Sequence, residues 1–278
     1  MIVGHELIIQ DLTRLADRRQ LPHGLLFFGP RRTGKRLVAT ALGHYLEHGK
    51  FKAEHIALSD TLVLAPNEEG TIGVDEARAL QRFLSLRPNV SPYRTAIVDG
   101  AEALSAEAQN ALLKITEEPP ESALIILIAS DPEVLLPTLR SRLQRFYFGS
   151  ASSSSIASWL ERSCKAPSAK AREAASASRG IPGLAWAMLF DPQMDSARKQ
   201  AKAFLESALS ARKELVKEMS ADESFRIDAF LEALLLVLAP SARAHPVWWH
   251  RVAGLRGDAA RFNLNPRLQL TSLAYTLE

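Results

Sequence analysis

The stretch Gly29-Pro-Arg-Arg-Thr-Gly-Lys-Arg36 constrains the fold more than any other, because of what flanks it. An apolar run, residues 25–28, leads into it, and an amphipathic pattern, residues 37–46, leaves it. Strand, glycine-bearing loop and helix in that order form a phosphate-binding loop. The glycines let backbone N–H groups wrap an anion, and a lysine at the head of the helix reaches the outer phosphates. Gly29, Thr33, Gly34 and Lys35 are the residues such a loop uses. A strand-to-helix turn with no ligand has the same local requirements, so both readings stand here. The eighth position normally offers a hydroxyl to Mg²⁺, and it is Arg36. A guanidinium has no lone pair to give a metal.

Four further apolar runs of strand length, at residues 61–65, 95–99, 124–129 and 146–148, alternate with longer amphipathic segments. Short buried strands separated by helical stretches predict a parallel sheet covered by helices, an α/β fold. The second of these runs ends in Asp99, which either holds a cation through water or caps the next turn. A hydrolase of this type places a second carboxylate next, but here Gly100 follows. The next acid, Glu102, lies several ångströms further along the chain and is a poor substitute. Hydrolysis by this chain is not expected. Ser130, ending the run 124–129, is placed either to sense a terminal phosphate or to cap locally. Residues 105–118 predict a helix with Ser105 as N-cap, stopped by Pro119-Pro120.

The segment 149–155, Gly-Ser-Ala-Ser-Ser-Ser-Ser, reads as a flexible linker. Beyond it the strand signal disappears. Helices are predicted at residues 156–163, 169–178, 183–189, 193–219 and 222–238, the last ended by Pro240, with another beginning after Pro266. The chain of 278 residues thus divides into 1–148, 149–192 and 193–278. Charge separates the parts only mildly. Residues 1–148 carry 17 basic against 18 acidic side chains, and the remainder 17 against 13, a net +4 that would help steer a polyanion or simply solvate helices.

Other chemistry is thin. Cys164 is the single cysteine, which excludes an internal disulfide or a multi-cysteine zinc module. His44 and His48 have i, i+4 spacing but no third ligand, so no metal site is expected. Trp159, Trp186 and the pair Trp248-Trp249 read as packing residues. The longest apolar runs, 123–129 and 233–239, are far short of a membrane span, and no signal segment opens the chain. A cytoplasmic protein with no membrane partner is expected.

The string Asn110-Ala-Leu-Leu-Lys-Ile-Thr-Glu-Glu-Pro-Pro120, with Leu139-Arg-Ser-Arg142 downstream, resembles the bacterial clamp-loader branch of the AAA+ family. Ile2-Val-Gly-His5, His23-Gly-Leu-Leu-Phe-Phe-Gly-Pro30 and Asn265-Pro-Arg-Leu268 fit the same family. Within the branch the chain is most similar to the delta-prime family of DNA polymerase III subunits. That resemblance implies an AAA+ P-loop domain, a small helical lid and a helical collar that joins subunits in a ring. It implies motor tau/gamma and delta subunits, a sliding clamp and primed DNA as partners. It also implies a poor or inactive ATPase that lends an arginine finger to a neighbour. Arg142, beside Ser141, is the position that matches. Leu143 stands where the family has cysteine, and the family's four-cysteine zinc module has no counterpart, residues 47–60 replacing it. No cofactor is required on this reading. ATP or ADP is the ligand that a degenerate site at Gly29, Thr33, Gly34, Lys35, Asp99 and Ser130 would take. Two alternatives remain: an ATP-hydrolysing motor subunit, and a nucleotide-independent DNA-binding adaptor.

Overall fold

A computed structural model of the chain describes residues 2–52, 57–222, 225–239, 245–261 and 265–276. Two compact units divide it, Met1–Gly183 and Leu184–Glu278.

The first unit is built on five parallel strands: β1 (Gly24–Phe28), β2 (Thr61–Leu64), β3 (Arg94–Asp99), β4 (Ala123–Ala129) and β5 (Gln144–Tyr147). Their order across the sheet is β2-β3-β4-β1-β5. Leu25 lies opposite Ile126 in register, and Ile97 pairs with the same residue from the other side. Because strand side chains alternate, the continuous apolar runs of β1, β3 and β4 supply both faces of the sheet at once. Leu25, Phe27, Ile97, Leu124 and Ile126 pack on one face with Leu12 of α1 (Glu6–Asp17) and Val38 and Leu42 of α2 (Lys35–His48). Leu26, Val98, Ile125 and Leu127 pack on the other with Leu80 of α3 (Val74–Leu84) and Leu112 of α4 (Ala106–Glu117). Each such side chain contributes roughly 1.5–3 kcal/mol on burial. The sheet is therefore a stiff platform, and what its carboxyl edge carries is held in place by the core.

Local signals act as expected around α4. The Ser105 side chain accepts from the Ala108 N–H, capping the helix. A short helix, α5 (Pro137–Arg140), leads into β5. At the far end of the sheet Asp60 is fully buried and accepts from the N–H groups of Asn89, Val90 and Ser91. It also pairs with Arg94 at 2.9 Å, whose guanidinium lies over the Phe83 ring. Burial pushes the Asp60 carboxyl up, but the three amides and Arg94 outweigh it and hold it below its usual range.

The serine run is not the open linker it resembles. Ser152 accepts from the Ser155 N–H, and α6 (Ser153–Cys164) starts inside the run. Helix α7 (Ser168–Ala177) packs on α6, and α8 (Pro182–Phe190) follows. In the second unit, the single helix expected over 193–219 is two, α9 (Pro192–Glu206) and α10 (Leu209–Ala221), broken at an extended Ser207. Helix α11 (Ile227–Leu238) starts five residues later than expected; Pro240 lies outside the described residues. Helix α12 (Pro246–Arg261) is unanticipated, and α13 (Pro266–Thr276) begins at the expected proline. The Asn265 side chain accepts from Leu268 N–H at its start. Helix α11 packs against α9 and α12, and α10 against α13, with Phe204 and Phe230 edge to face at 5.7 Å. No described helix is long and apolar enough to cross a membrane.

Candidate functional site

The loop Gly29–Gly34 leaves the carboxyl end of β1, where β1 sits between β4 and β5. This is the edge at which open α/β sheets bind ligands. Gly29 has φ +132°, and a Cβ there would lie 2.4 Å from the Phe148 carbonyl oxygen. Gly34, at φ +99°, is the N-cap of α2. Both positions need glycine. Between them Thr33 Oγ1 donates to the Pro30 carbonyl at 2.9 Å.

The loop is held from two sides. Nε2 of His5 lies 3.1 Å from the Thr33 carbonyl, and its ring packs 4.7 Å from that of Phe148. Burial lowers the His5 pKa below the ordinary histidine value, the Thr33 carbonyl only partly offsetting it. The N–H of Gly183 donates to the Arg32 carbonyl at 3.0 Å. A loop tied at neighbouring carbonyls presents its remaining groups in fixed positions.

Lys35, buried at 7% exposure, donates from Nζ to the carbonyls of Gly29 and Pro30, both at 2.7 Å. Burial depresses its pKa from 10.5 to about 8, with Glu102 and Asp99 pulling the other way. Lys35 is thus an ammonium at neutral pH, within the field of two carboxylates. An anion arriving here competes with two carbonyls for it.

Arg36 is the residue the local sequence could not place. Its Nη1 lies 3.1 Å from Asp99 Oδ2, joining the start of α2 to the end of β3. Asp99, placed by the sequence either to hold a cation through water or to cap the next turn, meets a guanidinium here. Glu102 sits on a short turn, Ala101–Ala103, and accepts from the Ser130 N–H. The turn brings Glu102 back to the site, a position its spacing alone did not suggest.

Thr33, Gly34, Lys35, Asp99 and Ser130 line one cavity of about 460 Å³ together with Arg36, Glu102 and Trp159. The cavity is within the size range of small-molecule sites. Trp159, expected as packing, forms part of its wall, while Trp186 is 43% exposed. Arg31, Arg32, Lys35 and Arg36 are among the cavity's lining residues, as are the acids Asp99 and Glu102. The donor set suits a phosphate. It does not suit a divalent metal, because position 36 carries no oxygen and Asp99 is already engaged by a cation.

Arg142 lies apart from this cavity. It follows α5, with Nη2 2.8 Å from Glu117 Oε1 at the end of α4 and Nη1 donating to the Thr138 carbonyl at 2.6 Å. Its side chain is about one-third exposed. Arg140, two residues before it, is mostly covered and pairs with Glu133. Leu143 is buried in the core cluster, so the residue that replaces a cysteine anchors the turn from beneath.

The remaining sequence candidates are quiet. The His44 and His48 rings meet edge to face with centroids 4.8 Å apart, but Nδ1 of His44 is engaged with the Lys50 carbonyl, and no group of three metal-binding side chains exists among the described residues. Burial raises the Cys164 thiol pKa, which lowers its reactivity. Residues 53–56 of the segment 47–60 lie outside the described residues.

Comparison with known proteins follows the same lines. The family described as DNA polymerase III, delta subunit, matches residues 4–152, more than half of the chain. The DNA polymerase III subunit gamma/tau of Mycobacterium bovis is 34% identical over 177 residues, covering 59% of this chain and 31% of that protein. The DNA polymerase III subunit delta' of Pseudomonas aeruginosa is 31% identical over 175 residues, covering 58% and 53%. The chain thus spans between about a third and about half the length of these relatives. A crystal structure of a DNA polymerase III gamma subunit-related protein from Thermotoga maritima aligns over 96% of this chain and 98% of that one, with a TM-score of 0.56 and 20% identity. The parallel sheet, phosphate loop and helical C-terminal region are those of an AAA+ P-loop fold.

Proposed function

Because the chain belongs to the DNA polymerase III, delta subunit, family, we propose that it serves as a non-motor subunit of a clamp loader and lends Arg142 to a neighbouring subunit's ATP site. One contrast carries the reading. The phosphate loop has Arg36 bonded to Asp99 where hydrolysis needs a metal, while Arg142 stays at a partly exposed turn. The partners on this reading are motor and delta subunits of the loader, the sliding clamp and primed DNA. Residues 149–192 would act as the lid and 193–278 as the ring-forming collar.

To act in trans, Arg142 must exchange Glu117 for a phosphate. The pair is partly solvated, and such pairs are worth about 0–1 kcal/mol. An arginine finger accelerates phosphoryl transfer by about 10³–10⁵, so the exchange is strongly favoured at the transition state. The test is Arg142→Ala in a loader reconstituted with its motor subunits. Clamp- and DNA-stimulated ATP turnover should fall at the neighbouring site; unchanged turnover would remove the trans role.

A second reading, a motor subunit, draws on Glu102, which lines the cavity despite its shifted position, and on the gamma/tau similarity. ATP turnover by the purified chain separates the two. The non-motor reading expects none above a Lys35→Ala control.

A further inference from the structure

We propose that Arg36 replaces the divalent cation of the phosphate site, so that the cavity takes a diphosphate-bearing ligand such as ADP without Mg²⁺. The proposal concerns the chain's own cavity and does not depend on what Arg142 does.

The argument starts from position. Arg36 is the second residue of α2, one place after the buried lysine, and its guanidinium meets the carboxylate at the end of β3. A cation between those two elements is what a phosphate site of this design requires, because it neutralises the outer phosphates and ties them to the β3 carboxylate. Here the cation is covalently part of the chain. A guanidinium carries five N–H donors, and the bond from Nη1 to Asp99 uses one of them. The side chain is 61% exposed on the cavity wall, so other donors can meet a phosphate while the Asp99 contact persists. Planar bidentate geometry makes arginine well suited to bridging a carboxylate and a phosphate.

Charge supports the same conclusion. Arg31, Lys35 and Arg36 line the cavity beside two carboxylates, Asp99 and Glu102, so basic groups outnumber acidic ones there before any ligand arrives. A diphosphate ester brings roughly three negative charges, part of which this excess offsets without a metal. A metal entering with it would meet the Arg36 guanidinium and the Lys35 ammonium at close range. It would have to displace Arg36 from Asp99 to gain a ligand. Divalent cations should therefore be neutral or unfavourable for binding.

The experiment is equilibrium titration of the full chain with ADP, once in EDTA and once in excess Mg²⁺. The expected result is binding in EDTA that does not tighten when Mg²⁺ is added. In Arg36→Ser, binding in EDTA should weaken by about 10–100-fold, the loss of charge-assisted bonds to phosphate, and Mg²⁺ should then restore part of it. ADP binding that requires Mg²⁺ in the unaltered chain overturns the proposal, as does no binding in either medium. Both outcomes are read without a variant, so misfolding of Arg36→Ser leaves the test intact. Neither bears on the Arg142→Ala result, which is read as turnover at another subunit.

Discussion

Arg36 and Arg142 each hold a carboxylate, at 3.1 Å to Asp99 and 2.8 Å to Glu117, yet they stand in different settings. Arg36 faces into a cavity beside a buried lysine, and its partner sits at the end of a central strand. Arg142 lies on a surface turn, its partner on the last turn of a helix and about half exposed. The first pair completes a site inside the subunit. The second leaves a partly exposed guanidinium on a surface turn, and on the proposed reading an anion from outside would claim it. Distance alone does not distinguish a structural ion pair from a reserve of charge; the surroundings do.

The largest expected effect tests the second pair. Arg142→Ala should lower stimulated turnover at the neighbouring site by about 10³-fold or more while leaving the chain's melting temperature nearly unchanged. A large loss of stability instead would mean the arginine is structural after all. Next comes a pair that belongs wholly to the fold. Asp60→Asn leaves Arg94 buried against a neutral partner and should cost about 3–5 kcal/mol by chemical denaturation. Because the Asp60 carboxyl is held below its usual range, its contribution is present at neutral pH and lost as pH falls through the folded value. Ser105→Ala removes the α4 cap and should cost about 1 kcal/mol in the same assay.

A smaller effect sharpens the Arg142 comparison. Glu117→Gln should change stability by less than about 1 kcal/mol, since the pair is half solvated. If turnover at the neighbouring site falls as far as in Arg142→Ala, Glu117 is positioning the guanidinium and not merely holding it. A pH profile tests Lys35. Its folded pKa of about 8 lies below the ordinary 10.5, so between those values the unfolded chain binds more protons and stability should rise with pH. Lys35→Met should flatten that rise.

The sheet was legible because its strands are two-sided apolar runs, and nothing but a covered parallel sheet accommodates them. The α4 helix was legible because Ser105 and Pro119-Pro120 mark its ends with local chemistry. The break between α9 and α10 was not, since Ser207 and Ala208 are unremarkable in a helix. What separates the two helices is packing on different partners, α9 on α11 and α10 on α13. Helix α12 was hidden by Gly254 and Gly257, which lower helix propensity inside it. Within the site, the loop residues were readable from spacing. The Arg36–Asp99 contact spans 63 positions, and no local pattern reports a contact between residues so far apart.

The two carbonyls that receive the Lys35 ammonium have a consequence for selectivity. A guest does not find an idle charge there; it must outbid oxygens already in place. The net gain is a difference between two similar sets of bonds, so weakly charged anions should exchange in vain. Only a ligand that engages the backbone, the lysine and Arg36 together returns more than it displaces. On the proposed reading the loop would act as a threshold filter, indifferent to small ions and responsive to a whole diphosphate.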